Sequence, residues 1–179
     1  MEQFRLPKIV IPKLELPQAI QEVLIEAEER LAHRPKLLQL FKNCFPNTLE
    51  TTTKLLPDGT TFVITGDIPA SWLRDSVEQV IQYVPLAKND PDLQRIIGGL
   101  IKRHIQYIHI DPYANAFNES ANDWHWNTTD VTEMSPWVWE RKFEIDSLCF
   151  VVRLAYTYWK ETGLTDFFDA GFKSAMRVI

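Results

Sequence analysis

The sequence predicts an all-α architecture with one small β excursion. Three observations carry this reading. Apolar residues recur at three- and four-residue spacing along most of the chain, the period of a helix with one buried face. Helix-boundary residues stand where those stripes begin and end, at Pro17, Asn89–Asp90–Pro91, Gly163 and Thr165. One stretch breaks the pattern: TLETTTKLLPDGTTFVITGD is rich in threonine and β-branched residues and has the turn signal PDG at its middle.

The elements follow in order. Residues 1–16 read as an extended arm, because Pro7 and Pro12 within it and Pro17 after it each remove a backbone donor. From Pro17 to about His33, the residues Ile20, Val23, Leu24, Ala27 and Leu31 keep helical spacing, and Pro17 suits a first turn. A short helix at about 35–44 carries Leu37, Leu38 and Phe41. Residues 48–65 read as a β-hairpin or two extended arms. Helical spacing resumes near Ala70, with Leu73, Val77, Val80, Ile81 and Val84 on one face until Pro85 disturbs it. Asn89 or Asp90 then caps a long helix with Pro91 in its first turn. Its buried stripe is Leu93, Ile96, Ile97, Leu100, Ile101, Ile105 and Ile108, and the small residues of IIGGL allow close packing there. Residues 111–138 read as a long loop, a length that goes with function. A helix at about 140–162 presents Ile145, Leu148, Cys149, Val152, Ala155, Tyr156 and Trp159 inward, with Gly163 just past its end. Thr165 caps a last helix with Phe168, Phe172, Ala175 and Met176 on its apolar face. That helix has no stop signal, so the chain reads as cut off at Ile179.

Composition bounds the function. The chain has 179 residues, 45% hydrophobic and 24% charged, the balance of a single globular domain or part of one. A net charge of −5 and no basic run argue against a nucleic-acid or membrane-surface partner. No apolar run has the length of a membrane span, and the start is too polar and proline-broken for a signal peptide, so the expected setting is cytoplasmic. In that setting the sequons NES (118–120) and NTT (127–129) carry little meaning. Cys44 and Cys149, each in an apolar run, read as buried reduced thiols. Of the four histidines, none has a partner at metal-ligand spacing, and no phosphate-binding or nucleophile-elbow glycine pattern occurs.

Three clusters stand at helix ends or in loops: WLRDS (72–76), PYANAFN (112–118) and WVWERKFEIDS (137–147). Each combines aromatic rings with Arg, Asn and carboxylates. Rings stack on the apolar face of a pyranose while Arg, Asn and Asp bond its hydroxyls, so this inventory suits a sugar. Four of the six tryptophans fall between 124 and 139, dense for packing alone. Plainer readings stand beside this one. Arg74–Asp75 also reads as an ion pair capping a helix, ERK with Glu144 as a solvated first turn, Asn115 and Asn118 as turn residues, and the tryptophans as a satellite core cluster.

Taken in order and at these spacings, TFVITGDIPASWLRDS, DPYANAFN and WVWERKFEIDSLCF resemble glycoside hydrolase family 125, bacterial and fungal exo-acting α-1,6-mannosidases. The resemblance runs from about Lys42 to the end of the chain, and the first forty residues match less clearly. It implies an (α/α)6 barrel of inner and outer helices with the active site at the loop-bearing mouth. Residues 17–179 would then be the N-terminal part, about the first half, of a single glycosidase domain. Trp72, Arg74 and Asp75 would face the sugar pocket from the start of an inner helix, with Asn115, Asn118, Trp139, Glu140, Arg141 and Asp146 on the same rim. The family releases terminal mannose with inversion and needs no metal or other cofactor. Its partners are α-mannoside oligosaccharides.

An inverting glycosidase uses a general acid and a general base about 6.5–9.5 Å apart, with room between them for water. Family members are more than twice this length, and both groups are expected beyond Ile179. Ser71 stands where relatives often carry methionine. Two alternatives remain: a truncated, non-catalytic relative that binds mannosides or is a degenerate remnant, and a different (α/α) barrel carbohydrate-active enzyme.

Overall fold

A computed structural model describes residues 10–126, 129 and 131–179. Residues 1–9, most of the expected arm, and 127, 128 and 130, which include two positions of the second sequon, lie outside the described residues. Residues 10–16 are irregular, and Ile11, Leu14 and Leu16 lie against the core. The described chain is mostly helical, with two small antiparallel sheets.

Helix α1 spans Gln18–Arg30 and buries Ile20 and Ala27. Helix α2, Pro35–Cys44, buries no side chain, and Leu37 and Leu40 on it are exposed. The threonine-rich stretch differs from the expected hairpin at its start. Its first residues close a short helix α3, Asn47–Thr51, in which the Thr51 hydroxyl donates to the Asn47 carbonyl. Only Thr53–Leu55 (β1) and Thr61–Val63 (β2) pair as strands, Thr53 opposite Val63 and Leu55 opposite Thr61. Asp58 in the turn accepts from the Thr60 amide at 2.9 Å and the Thr60 hydroxyl at 2.6 Å.

The next helix starts later than its apolar spacing suggests. Ser71–Trp72 is a strand, β3, and α4 runs Leu73–Val80. It tightens into a 3-10 stretch, Ile81–Lys88, around Pro85, which has no N–H for an α-helical bond. Asp90 caps helix α5, Pro91–Ile110, accepting from the Leu93 amide at 2.9 Å, and every residue of the expected stripe is buried. Gly99 is there for contact: a Cβ would stand 2.5 Å from Thr61 Oγ1 and 3.1 Å from its backbone nitrogen. The hairpin thus lies directly on α5.

Part of the expected loop is strand. Ala116–Phe117 (β4) pairs antiparallel with β3 on one side and with Val138–Glu140 (β5) on the other. Helix α6 begins at Ile145, not 140, and ends at Thr162, where Gly163 takes the left-handed conformation (φ 73°). Its inner face also differs from expectation. Leu148 and Ala155 are buried, with Val151, Leu154 and Tyr158, while Ile145, Cys149, Val152, Tyr156 and Trp159 are exposed. The helix has two adjoining apolar stripes about one residue apart, and spacing alone does not say which one packs. Helix α7 is Ala170–Val178; Asp169, not Thr165, caps it, and Phe168 precedes it.

The core has one cluster joining α1, α4, α5 and α6 through Ile20, Val77, Val80, Ile97, Leu100, Leu154 and Tyr158. A second lies under the hairpin and the three-stranded sheet, with Phe62, Leu73, Tyr107, Phe117 and Val151. Both cysteines are exposed free thiols, contrary to the buried placement expected from their apolar flanks. No helix among the described residues is long and apolar enough to cross a membrane.

Candidate functional site

The three-stranded sheet gathers the three sequence clusters at one place. Trp72 sits at the end of β3 with extended backbone and is also the residue before the first turn of α4. An N-terminal helix turn leaves its first amides without helical partners. Here the Leu73 amide donates to the Asn115 carbonyl at 3.0 Å, which pins the start of α4 to the approach to β4. The Asn115 amide in turn donates to the Glu140 carbonyl at 3.2 Å on β5.

Glu140 is the centre of this arrangement. Its Oε2 accepts from Trp72 Nε1 at 3.2 Å and from Asn115 Nδ2 at 2.8 Å, and its Oε1 accepts from Lys142 Nζ at 2.8 Å. Asn115 Oδ1 accepts from the Lys142 amide at 3.2 Å. Partial burial works to raise the Glu140 pKa. Hydrogen bonds from Lys142, Asn115 and Trp72, with the Lys142 charge, outweigh it, so the carboxyl lies below its ordinary range. Glu140 is therefore an ionised acceptor at neutral pH.

Beside it, Arg74 gathers carboxylates. Nη1 reaches Asp146 Oδ2 at 2.8 Å and Glu144 Oε2 at 3.3 Å, and Nε reaches Asp75 Oδ1 at 3.2 Å. Ser147 Oγ donates to the same Glu144 oxygen at 2.8 Å. The hydrogen bond from Arg74 holds the Asp146 carboxyl below its ordinary range, and the bond to Asp146 raises Arg74 in return.

These groups adjoin a cleft of about 1050 Å³. Trp72, Asp75 and Glu140 line it, along with Trp126, whose ring meets Trp72 edge-on at 6.3 Å and Trp139 at 6.1 Å. The opposite wall comes from the end of α2 and from α3: Cys44, Asn47, Thr48, Thr51 and Thr52, with Gln79 of α4 nearby. Gly66, Asp67 and Ile68 complete the lining.

The nine residues singled out in the sequence divide into groups. Trp72, Asp75 and Glu140 line the cleft, and Arg74 and Asp146 form the ion cluster at its edge. Asn115 (1% exposed) stands behind Glu140, and Trp139 (1%) stands behind Trp126. Asn118 is fully buried, its Nδ2 donating to the carbonyls of Trp124 at 3.0 Å and Pro136 at 3.2 Å. Arg141 turns to Asp111 (2.6 Å) and Thr132 (3.0 Å). The last two hold loop segments and do not line the cleft. Sequence reasoning missed Gln79, Asp67 and the α3 wall. Repeated threonine pointed to β structure there, and its hydroxyls gave no separate signal.

The arrangement can hold a polyhydroxylated ligand between indole faces and fixed carboxylates. Every displaced carboxyl among the described residues, Asp58, Glu140 and Asp146, is displaced downward. A glycosidase general acid needs the opposite displacement.

The profile of a family described as metal-independent alpha-mannosidase (GH125) matches residues 34–179. The Meiotically up-regulated gene 157 protein of Schizosaccharomyces pombe is 36% identical over 173 residues, covering 90% of this chain and 34% of that protein. A solved metal-independent α-mannosidase from Streptococcus pneumoniae, described as a non-productive substrate complex with α-1,6-mannobiose, is 46% identical with a TM-score of 0.84. It covers 89% of this chain and 38% of its own length. The chain thus spans little more than a third of either relative.

Proposed function

The chain belongs to GH125, the family of metal-independent α-mannosidases, and from that premise we propose that it supplies the sugar-binding wall of an exo-acting α-1,6-mannosidase that inverts configuration. The observation that carries this is Glu140: a carboxylate held by Trp72, Asn115 and Lys142 on the wall of an indole-lined cleft. Mannose would bond through its hydroxyls to Glu140 and Asp75 and lay its apolar face on Trp72 or Trp126. Asn115, Asn118, Trp139, Arg141 and the Arg74–Asp146 pair would keep that wall in shape.

In this reading residues 17–179 are the first part of an (α/α)6 barrel, preceded by an arm over 1–16. The acid and base lie in a part of the family fold that this chain does not include. The downward displacement of the Glu140 and Asp146 carboxyls supports that placement. A reducing, cytoplasmic setting belongs to the same reading, supported by two exposed, unpaired thiols. The family match sets aside a different barrel enzyme. The same displacement of Glu140 and Asp146 favours a second reading, in which the chain alone binds mannosides without cleaving them.

The test is α-1,6-mannobiose with the 179-residue chain, beside a family-length protein containing it. Binding by the chain without mannose release, and release of the inverted anomer (followed by NMR) by the longer protein, is the expected result. Turnover by the chain alone would place the catalytic carboxylates among Asp75, Glu140, Glu144 and Asp146. Absence of binding by either protein would overturn the reading.

A further inference from the structure

The cleft wall is rich in acceptors and poor in donors. Among the described residues that line it are four carboxylates, Asp67, Asp75, Glu78 and Glu140, and no lysine or arginine. The cations paired with cleft carboxylates are engaged by those pairs: Arg74 by Asp75, with Glu144 and Asp146, Lys142 by Glu140, and Arg153 by Glu78. Several hydroxyl and amide donors along the wall point inward, while the Trp126 indole N–H and the Asn47 side-chain amide donate to no other described residue. Thr51 Oγ1 donates to the Asn47 carbonyl at 2.8 Å, Thr52 Oγ1 to the Thr48 carbonyl at 2.8 Å, and Thr65 Oγ1 to the Ala70 carbonyl at 3.3 Å. Gln79 Nε2 donates to the Ile64 carbonyl at 3.2 Å, and Trp72 Nε1 to Glu140 at 3.2 Å.

A ligand in such a cleft meets carboxylate acceptors without a free cation beside them among the described residues, so it gains by bringing its own protons. A sugar hydroxyl does so. A phosphate, sulfate or carboxylate group only accepts, and it meets like charge as well. We propose that the cleft selects by charge and hydrogen-bond polarity, admitting neutral or amino-bearing mannosides and rejecting those that carry an anionic group. This rests on the mannoside reading above and narrows its substrate class. It also gives the α3 wall a role: with the Thr51 and Thr52 hydroxyls turned to the backbone, it offers hydroxyl-bearing sugars acceptor oxygens.

The experiment titrates the chain with α-1,6-mannobiose, its 6-phosphate and its 6-amino-6-deoxy analogue on the terminal mannose, at low salt and at about 0.5 M salt, where charge effects beyond a few Å are screened. The expected result is a phosphate at least about tenfold weaker than the parent at low salt, a gap that narrows in high salt, and an amine at or above parental affinity. The double variant Asp67→Asn/Glu78→Gln should narrow the phosphate gap, with mannobiose as the internal reference. A phosphate that binds as tightly as the parent at low salt overturns the inference. So does an equal, salt-independent loss for phosphate and amine, the signature of steric exclusion. If mannobiose itself does not bind, the mannoside reading fails and this inference falls with it.

Discussion

Asn115 and Glu140 are joined twice. The Asn115 side chain donates to Glu140 Oε2 at 2.8 Å, and its main-chain amide donates to the Glu140 carbonyl at 3.2 Å. Asn115 also accepts from the Leu73 amide, so one buried residue fixes both the carboxylate and the start of α4. Asn115→Asp removes the side-chain donor and places a second carboxylate against the first. A hydrogen bond to a charged group contributes about 1.5–3 kcal/mol, so mannobiose affinity should fall roughly 10- to 100-fold at pH 7. The loss should shrink as pH falls and the pair takes up a proton. Calorimetric titration between pH 5 and 8 reads both effects, and a pH-independent loss would count against action through Glu140.

Gly98 and Gly99 should respond to alanine with opposite sign. A Cβ on Gly98 meets Tyr158 Oη at 3.6 Å, an ordinary contact, so Gly98→Ala should stabilise by about 0.5–1 kcal/mol through helix propensity. A Cβ on Gly99 meets the Thr61 side chain and backbone, so Gly99→Ala should cost about 1–3 kcal/mol. Paired urea denaturation curves give the comparison.

His104 sets an acid limit on the fold. It is fully buried on α5 with Nε2 at 2.9 Å from Ser76 Oγ of α4, while Nδ1 has no partner. Burial lowers its pKa from 6.5 to about 3. Between those values the unfolded chain binds more protons, so stability is full above about pH 6.5 and declines as pH falls toward 3. At pH 5 the decline from this group is about 2 kcal/mol. Melting temperature against pH should slope downward below 6.5 in the parent and flatten in His104→Gln.

The two thiols should separate by location. Cys44 borders the cleft and Cys149 lies on the outer side of α6. Both should react with a thiol reagent such as DTNB, and saturating mannobiose should slow Cys44 alone. Equal protection of both would argue that the ligand acts through the whole fold and not by occupying the cleft.

Trp126 reaches the cleft from a loop and is 45% exposed, with Trp72 and Trp139 at its edge. Trp126→Ala should cost no more than about 3 kcal/mol of stability, the worth of two aromatic pairs, and should lower mannobiose affinity more than Trp124→Ala does. Tryptophan fluorescence titration of the two variants checks the order.

Sequence pattern located α5 and its aliphatic stripe, because that helix lies between neighbours and shows a single clean period with a cap at its start; it did not show that Arg103, His104 and Tyr107 are buried beside that stripe. It pointed for a different reason to the three clusters that the sheet brings together: Trp, Arg and Asp in short runs are uncommon in a plain core or on open surface, although Trp139 itself packs in a small core cluster. It failed where two answers carry the same pattern. On α6 the stripe through Ile145 and Cys149 and the stripe through Leu148 and Val151 are equally apolar, and tertiary packing chose the second. Strands of two or three residues, such as β3 and β4, are too short to show a period and exist by pairing with distant segments. The difference between a residue that lines the cleft and one that braces it, Glu140 against Asn115 or Arg141, is one of side-chain direction.

That distant pairing also has a consequence in time. The sheet joins Trp72 to Ala116 and Ala116 to Glu140, so closing it requires two long loops of chain to be ordered. Local helices such as α5 form on a much faster scale than contacts of that span. The cleft is therefore among the last features to appear during refolding, and recovery of ligand binding should lag behind recovery of helical circular dichroism.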